Sequence, residues 1–81
     1  MDYPLVTFTW IDAERTNDWL PLGLVLEPLP RIVTTGYLIE ETEEYVSVVM
    51  SVDEKNGNGD SRMRIPKCSI VERVNPITGE E

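Results

Sequence analysis

From residue 45 to residue 52 apolar side chains fall at every second position, Val46, Val48, Met50 and Val52, with Tyr45, Ser47, Val49 and Ser51 between them. A period of two is the repeat of a β-strand, whose successive side chains point to opposite faces, whereas the same row on a helix would be scattered around its circumference. The segment is therefore predicted to be a strand, with its even-numbered side chains turned toward a core.

The same reading finds four more strands. Residues 5–10 set Val6, Phe8 and Trp10 against Thr7 and Thr9, which predicts a half-buried first strand with Trp10 in the core. Residues 31–40 are rich in β-branched and aromatic side chains, with Val33, Thr35, Tyr37 and Ile39 on one face and Ile32, Thr34, Gly36 and Leu38 on the other. A glycine inside a strand is unfavourable unless the backbone needs it, so Gly36 predicts a bulge or a sharp bend. Residues 61–65 place Arg62 and Arg64 outward and Met63 and Ile65 inward, Pro66 interrupts pairing, and residues 70–74 resume as a short last strand.

Turn chemistry separates these runs. Two Asn-Gly pairs lie between Asp53 and Asp60, and they favour a hairpin connection longer than the tightest two-residue type. The acidic stretch 40–44 reads as an exposed turn. After the polar residues 12–18, the run Asp18-Trp19-Leu20-Pro21 is predicted to cap and open a short helical turn, which Gly23 weakens and Glu27-Pro28 ends, with Pro30 keeping the chain extended.

Five short strands, a long excursion after the first, and the break Ile65-Pro66-Lys67-Cys68 before the last make an all-β, strongly bent antiparallel meander. The layout resembles an SH3-like barrel, in which a one-turn 3₁₀ segment separates the final two strands. That resemblance implies a small five-stranded antiparallel SH3-like barrel with one short helical turn in its first long loop. With 81 residues there is material for one hydrophobic core and not two, so residues 1–81 are read as a single domain, with a core over about residues 4–74 and a frayed acidic tail at 75–81.

The charge narrows the partners. Fifteen acidic residues against seven basic ones give −8, so attraction to a polyanion such as DNA or an anionic membrane is opposed, and neither is expected as a direct partner. The lone Cys68 has no partner for an internal disulfide and reads as a small buried residue, and the chain starts without a secretory leader; both point to the cytoplasm. No apolar run approaches the ~20 residues that cross a bilayer.

The chemistry-bearing residues are few. Without a histidine the chain lacks the usual general base, the commonest metal ligand and every Ser-His or Cys-His pair, so no enzyme and no cofactor are expected. A calcium loop counted from Asn56 would need glycine at Ser61 and glutamate at Lys67, and the spacing fails. No phosphate-cradling glycine motif precedes a helix. Arg62, Arg64, Lys67 and Arg73 read as a solvated basic face. What remains are contact surfaces: the acidic residues Glu40, Glu41, Glu43 and Glu44, and the apolar residues Trp19, Leu22 and Leu24. Trp19 is expected to fold back as a lid over one end of the barrel, the alternative being an exposed anchor for a partner.

The stretches Thr9-Trp10-Ile11-Asp12-Ala13, Thr35-Gly36-Tyr37-Leu38-Ile39-Glu40-Glu41-Thr42-Glu43-Glu44-Tyr45 and Arg64-Ile65-Pro66-Lys67-Cys68-Ser69-Ile70 resemble, in that order, a group of small proteins encoded by tailed bacteriophages and prophages. The resemblance spans about residues 5–74 and implies a viral accessory protein working in the bacterial host cytoplasm. The expected function is non-enzymatic: binding, and inhibition, of a host or phage protein through the acidic edge and the apolar loop. The alternatives are an acidic DNA mimic seated on a host enzyme and a virion or assembly component, whose discriminating sign is a stable homo-oligomer; a homodimer is counted among the candidate partners.

Overall fold

The computed structural model describes residues 3–15 and 19–79. In chain order they form β1 (Leu5–Ile11), β2 (Arg31–Glu41), β3 (Tyr45–Val49), β4 (Ser51–Asp53), β5 (Asn58–Asp60), β6 (Met63–Pro66), a 3₁₀ turn over Lys67–Ser69, and β7 (Ile70–Val74). The all-β reading holds, with the 3₁₀ turn at the expected proline break.

Five of the strands make one antiparallel sheet in the order β6-β3-β2-β1-β7, and β4 pairs with β5 in a separate ribbon. β1 runs against β2 without interruption from Leu5↔Tyr37 to Ile11↔Arg31. Its other edge takes β7, with a register shift between Thr9 and Trp10. β2 and β3 also slip, between Leu38 and Glu40, and such irregularities bend a strand and tighten its twist. Among the described residues no ladder joins β6 to β7, so the sheet is bent but not closed.

The concave face holds the core. Val6, Phe8, Leu38, Val46, Val48 and Ile65 are buried together, with Trp10 and Ile70 packed at the margin. These are the even-numbered positions of β1, β2 and β3 facing Ile65 of β6, as the period-two pattern requires. Phe8 and Ile65 are fully buried, and each such side chain contributes roughly 1.5–3 kcal/mol through water released from its surface. Trp10 keeps its indole N–H satisfied by donating to Thr34 Oγ1 at 3.0 Å.

Four expectations fail here, each for a physical reason. The strand expected over residues 45–52 breaks at Met50, whose N–H donates to the Asp60 carbonyl at 3.0 Å. The chain leaves the main sheet at that point to form the β4–β5 ribbon, and Met50 is exposed. Met63, expected inward, sits beside Val48 on the edge strand and is likewise exposed, because no further strand covers it. Gly36 marks no bulge: it pairs regularly with Val6, and its role is close approach. A Cβ there would stand 2.9 Å from the Val49 carbonyl oxygen and 3.2 Å from Val48 Cβ. Finally, no helical turn forms in the excursion. Leu24 N–H donates to the Pro21 carbonyl at 3.1 Å, a single reverse turn that goes no further; a helix nucleus is costly, and Gly23 and two later prolines leave nothing to propagate it. Asp18, its expected cap, lies outside the described residues.

The ribbon explains why β3 is buried on both faces. Val46 and Val48 face the core, while Ser47 and Val49 are buried on the convex side. Gly59 of β5 lies against Val49 so closely that a Cβ would come within 2.9 Å of Val49 Cγ1. The four-residue connection between Asp53 and Asn58 is the longer hairpin predicted from the Asn-Gly pairs. Asp53 accepts from the Asn56 side-chain amide at 2.8 Å and from the Lys55 N–H at 3.1 Å, and these bonds, the Asn56 side chain first, hold its carboxyl below the usual value.

Candidate functional site

The acidic stretch 40–44 is not one surface. Glu40 and Glu41 are the last residues of β2, and Glu43 and Glu44 form the hairpin tip. Thr42 makes that tip. Its N–H donates to the Tyr45 carbonyl at 2.9 Å, and its hydroxyl oxygen accepts from the N–H groups of Glu44 and Tyr45, both at 3.1 Å. A hydroxyl standing in for a backbone carbonyl is the device by which threonine tightens turns.

Alternation then sends the two strand-end glutamates to opposite faces. Glu40 stands on the convex face opposite Ser47. It pairs with Arg62 at 2.9 Å and accepts from the Tyr45 hydroxyl at 3.0 Å. Arg62 Nε in turn donates to the buried Ser47 Oγ at 2.6 Å. Beside them Arg64 lies over the Tyr45 ring, 5.3 Å from its centroid. Glu41 sits on the other face, at the rim of the core, where Lys67 approaches to 2.8 Å and Arg73 to 3.0 Å. Lys67 first, then Arg73, hold the Glu41 carboxyl below its ordinary value, with a weak opposing push from burial. The basic group read as a solvated face is thus largely engaged: three of its four members neutralise Glu40 and Glu41. Only Glu43 and Glu44 project from the tip without an ion pair among the described residues.

The excursion between β1 and β2 is different. Ile11 and Arg31 are directly paired, so residues 12–30 are a hairpin loop that leaves one end of the sheet and returns to it. Trp19 is 103% exposed, Leu22 105% and Val25 91%; Leu20, Leu24, Leu26 and Leu29 are exposed as well. The lid expected of Trp19 does not form, since its side chain is fully exposed and it is not among the residues packed against the core. The molecule measures 54 × 27 × 21 Å, with a radius of gyration of 16.0 Å, against about 12 Å for a compact chain of this length. The apolar segment behaves as a projecting arm.

The structure does not unite the two surfaces named from sequence, since Glu43 and Glu44 belong to the β2–β3 hairpin and the arm springs from the β1–β2 end. What sequence reading missed is Leu20, and Val25, Leu26 and Leu29, which continue the exposed run past Leu24; their lack of any period was the available signal. Cys68, expected inside, is exposed on the 3₁₀ turn.

Comparison with protein-family models, with curated proteins and with solved structures returns no match. Among the described residues no group of three or more acidic or cysteine side chains is placed to hold a metal ion, and no helix is long and apolar enough to cross a membrane. Physical chemistry alone must therefore say what these surfaces are for.

Proposed function

We propose that this chain is a non-enzymatic accessory protein that acts by binding another protein, with residues 19–29 as its contact arm and Glu43 and Glu44 as a lesser, acidic contact. The observation that carries this reading is the exposure of Trp19, Leu20, Leu22, Leu24, Val25, Leu26 and Leu29 within one short segment. Scattered apolar residues on a surface are ordinary, but a contiguous set holding tryptophan and leucine is what a partner covers, and tryptophan is enriched among the anchors that dominate binding energy. A connection this long between two directly paired strands is uncommon unless it has a role.

The likeness to small phage proteins supports a phage-encoded protein in the bacterial cytoplasm, with inhibition of the bound protein as its effect. The strand order, the bent hairpin and the 3₁₀ turn before β7 support an open variant of the SH3-like barrel. A DNA mimic needs a continuous run of free carboxylates, and the pairing of Glu40 and Glu41 with bases weakens that reading. An assembly component remains the second reading, favoured by the same exposed arm.

The test is site-specific photocross-linking in the producing bacterial cell. A photoreactive side chain replacing Leu22 or Val25 is expected to give one defined protein adduct, and the same group at Asn56, on the opposite hairpin, none. Equal labelling at all three positions, or none at the arm, contradicts the proposal.

A further inference from the structure

The β4–β5 hairpin carries two Asn-Gly peptides in succession, Asn56-Gly57 in the turn and Asn58-Gly59 in β5. Such a pair rearranges without an enzyme. The main-chain nitrogen of the glycine attacks the side-chain carbonyl carbon of the asparagine. The new C–N bond closes a succinimide ring, and the side-chain nitrogen leaves as ammonia, taking the proton that the main-chain nitrogen gives up. Water then adds at one of the ring carbonyls and opens the ring to aspartate or to isoaspartate, in which the main chain runs through the side chain. Nothing is oxidised or reduced. Glycine obstructs the attack least, because it has no Cβ and its backbone reaches conformations closed to other residues.

Both asparagines are exposed, so water reaches them. They are held differently. Asn58 lies in the ladder opposite Asp53. Asn56 is bracketed by Asp53 itself. Its side-chain nitrogen, the group that must leave, donates to Asp53 Oδ2 at 2.8 Å. The Gly57 N–H, the group that must attack, donates to the Asp53 carbonyl at 2.8 Å. Asp53 Oδ1 accepts from the N–H groups of Lys55 at 3.1 Å and Asn56 at 3.4 Å, which fixes the turn between them. For the ring to close, the Gly57 nitrogen must give up its hydrogen bond and the Asn56 side chain must leave the Asp53 carboxylate. One residue thus engages both reacting groups.

Conversion has a consequence that this turn cannot absorb. The Asn56 amide donates to a carboxyl that the same bonds favour in its ionised form. Hydrolysis exchanges that donor for a second carboxylate, and attraction becomes repulsion between like charges. Isoaspartate also lengthens the main chain by one carbon within a short hairpin connection. Either product loosens the turn that closes the ribbon. Gly59 of that ribbon is packed on Val49, and the Met50 N–H is tied across it to the Asp60 carbonyl at 3.0 Å.

We propose that Asn56-Gly57 is a self-modification site, kept intact by Asp53 while the β4–β5 ribbon is closed, and that its conversion to aspartate or isoaspartate releases the ribbon from Val49. The reaction needs only water, so the ribbon opens as a molecule ages, adding a negative charge and uncovering an apolar side chain on the convex face.

The test incubates the full chain in mildly alkaline buffer, folded and in urea, and follows both asparagines by peptide mapping with mass spectrometry. In the folded chain Asn56 converts about tenfold more slowly than in urea, or slower still. Asp53→Ala speeds conversion at Asn56 in the folded chain by about fivefold or more and leaves Asn58 close to its wild-type rate. Asp53→Asn, which keeps an oxygen for the Lys55 and Asn56 N–H groups, gives a smaller rise. Asn56→Asp, one of the two products, speeds hydrogen exchange at the Met50 N–H by about tenfold. The Leu38 N–H, bonded to the Pro4 carbonyl at 2.8 Å, exchanges as in the wild type. Equal conversion of Asn56 in the folded and unfolded chain overturns the inference. So does an equal rise at both asparagines in Asp53→Ala, which means that the whole ribbon has opened and that Asp53 guards neither, and so does unchanged exchange at Met50 in Asn56→Asp.

Discussion

Arg73 stands between Phe8 and Glu41: its guanidinium lies 5.5 Å from the centre of the Phe8 ring, and its Nη1 donates to both Glu41 carboxylate oxygens, at 3.0 and 3.1 Å. Where no ladder joins β6 to β7, this contact and Lys67 span the gap. Lys67 supplies a main-chain tie as well, its N–H donating to the Glu44 carbonyl at 2.8 Å. The open sheet is thus laced by side chains at the rim of the core. Each ion pair is partly exposed and worth little alone, but a shared carboxylate with two cations over an aromatic ring is a network.

The lacing predicts a pH dependence. Glu41 has a lowered pKa in the folded chain, so its contribution is fully present above the unfolded value near 4.5 and is lost as pH falls through the lower folded value. Urea unfolding from pH 7 to pH 3 should show Glu41→Gln less stable than wild type by about 0.5–1 kcal/mol at neutral pH, a figure reduced for solvent screening. The gap should close below pH 4.5. A gap that persists unchanged to pH 3 would mean that the carboxylate charge plays no part.

The convex side offers a second prediction. Ser47 is fully buried, and its hydroxyl is satisfied by Arg62. Arg62→Ala leaves that oxygen without its donor and should cost about 1–2 kcal/mol, whereas Ser47→Ala removes both the need and the bond and should cost less. In a double-mutant cycle the pair of substitutions should cost less than the sum of the two. Strict additivity would show that the two residues do not communicate.

Gly36 and Gly23 make a matched pair. A Cβ at Gly36 meets the Val49 carbonyl oxygen, which the β2–β3 ladder holds in place, while at Gly23 nothing lies within 4 Å. Gly36→Ala should destabilise by about 1–3 kcal/mol, and Gly23→Ala should be close to neutral. Thermal melts of the two variants side by side decide the matter.

The strands were legible in the sequence because each carries its own period. Val6 and Phe8, Val46 and Val48, and Ile65 all declare a buried face by alternation, and the Pro66 break locates the 3₁₀ turn. What could not be read is what depends on the ribbon. Nothing local to Met50 says that the chain leaves the sheet there, nor that Gly59 covers Val49 and buries both faces of β3. The same holds for Glu40 and Glu41, adjacent in sequence and both acidic, which reach Arg62 and Arg73 through register, a long-range property. For the arm, the sequence reading takes Leu22 and Leu24 as a contact surface but folds Trp19 back over the core, since burial is the usual fate of a tryptophan. The composition cannot show that the concave face is already filled by Phe8, Ile65 and their neighbours.

The decisive measurement is made on a chain in which residues 13–29 are replaced by a short Asn-Gly-containing turn joining the paired ends Ile11 and Arg31. If the arm serves contact and not folding, this variant unfolds in urea at the same concentration as the wild type or a higher one, since a shorter loop costs less entropy to close, and it no longer engages the partner found by cross-linking at Leu22. A shortened chain that fails to fold, or one that still binds that partner with undiminished affinity, contradicts the proposal.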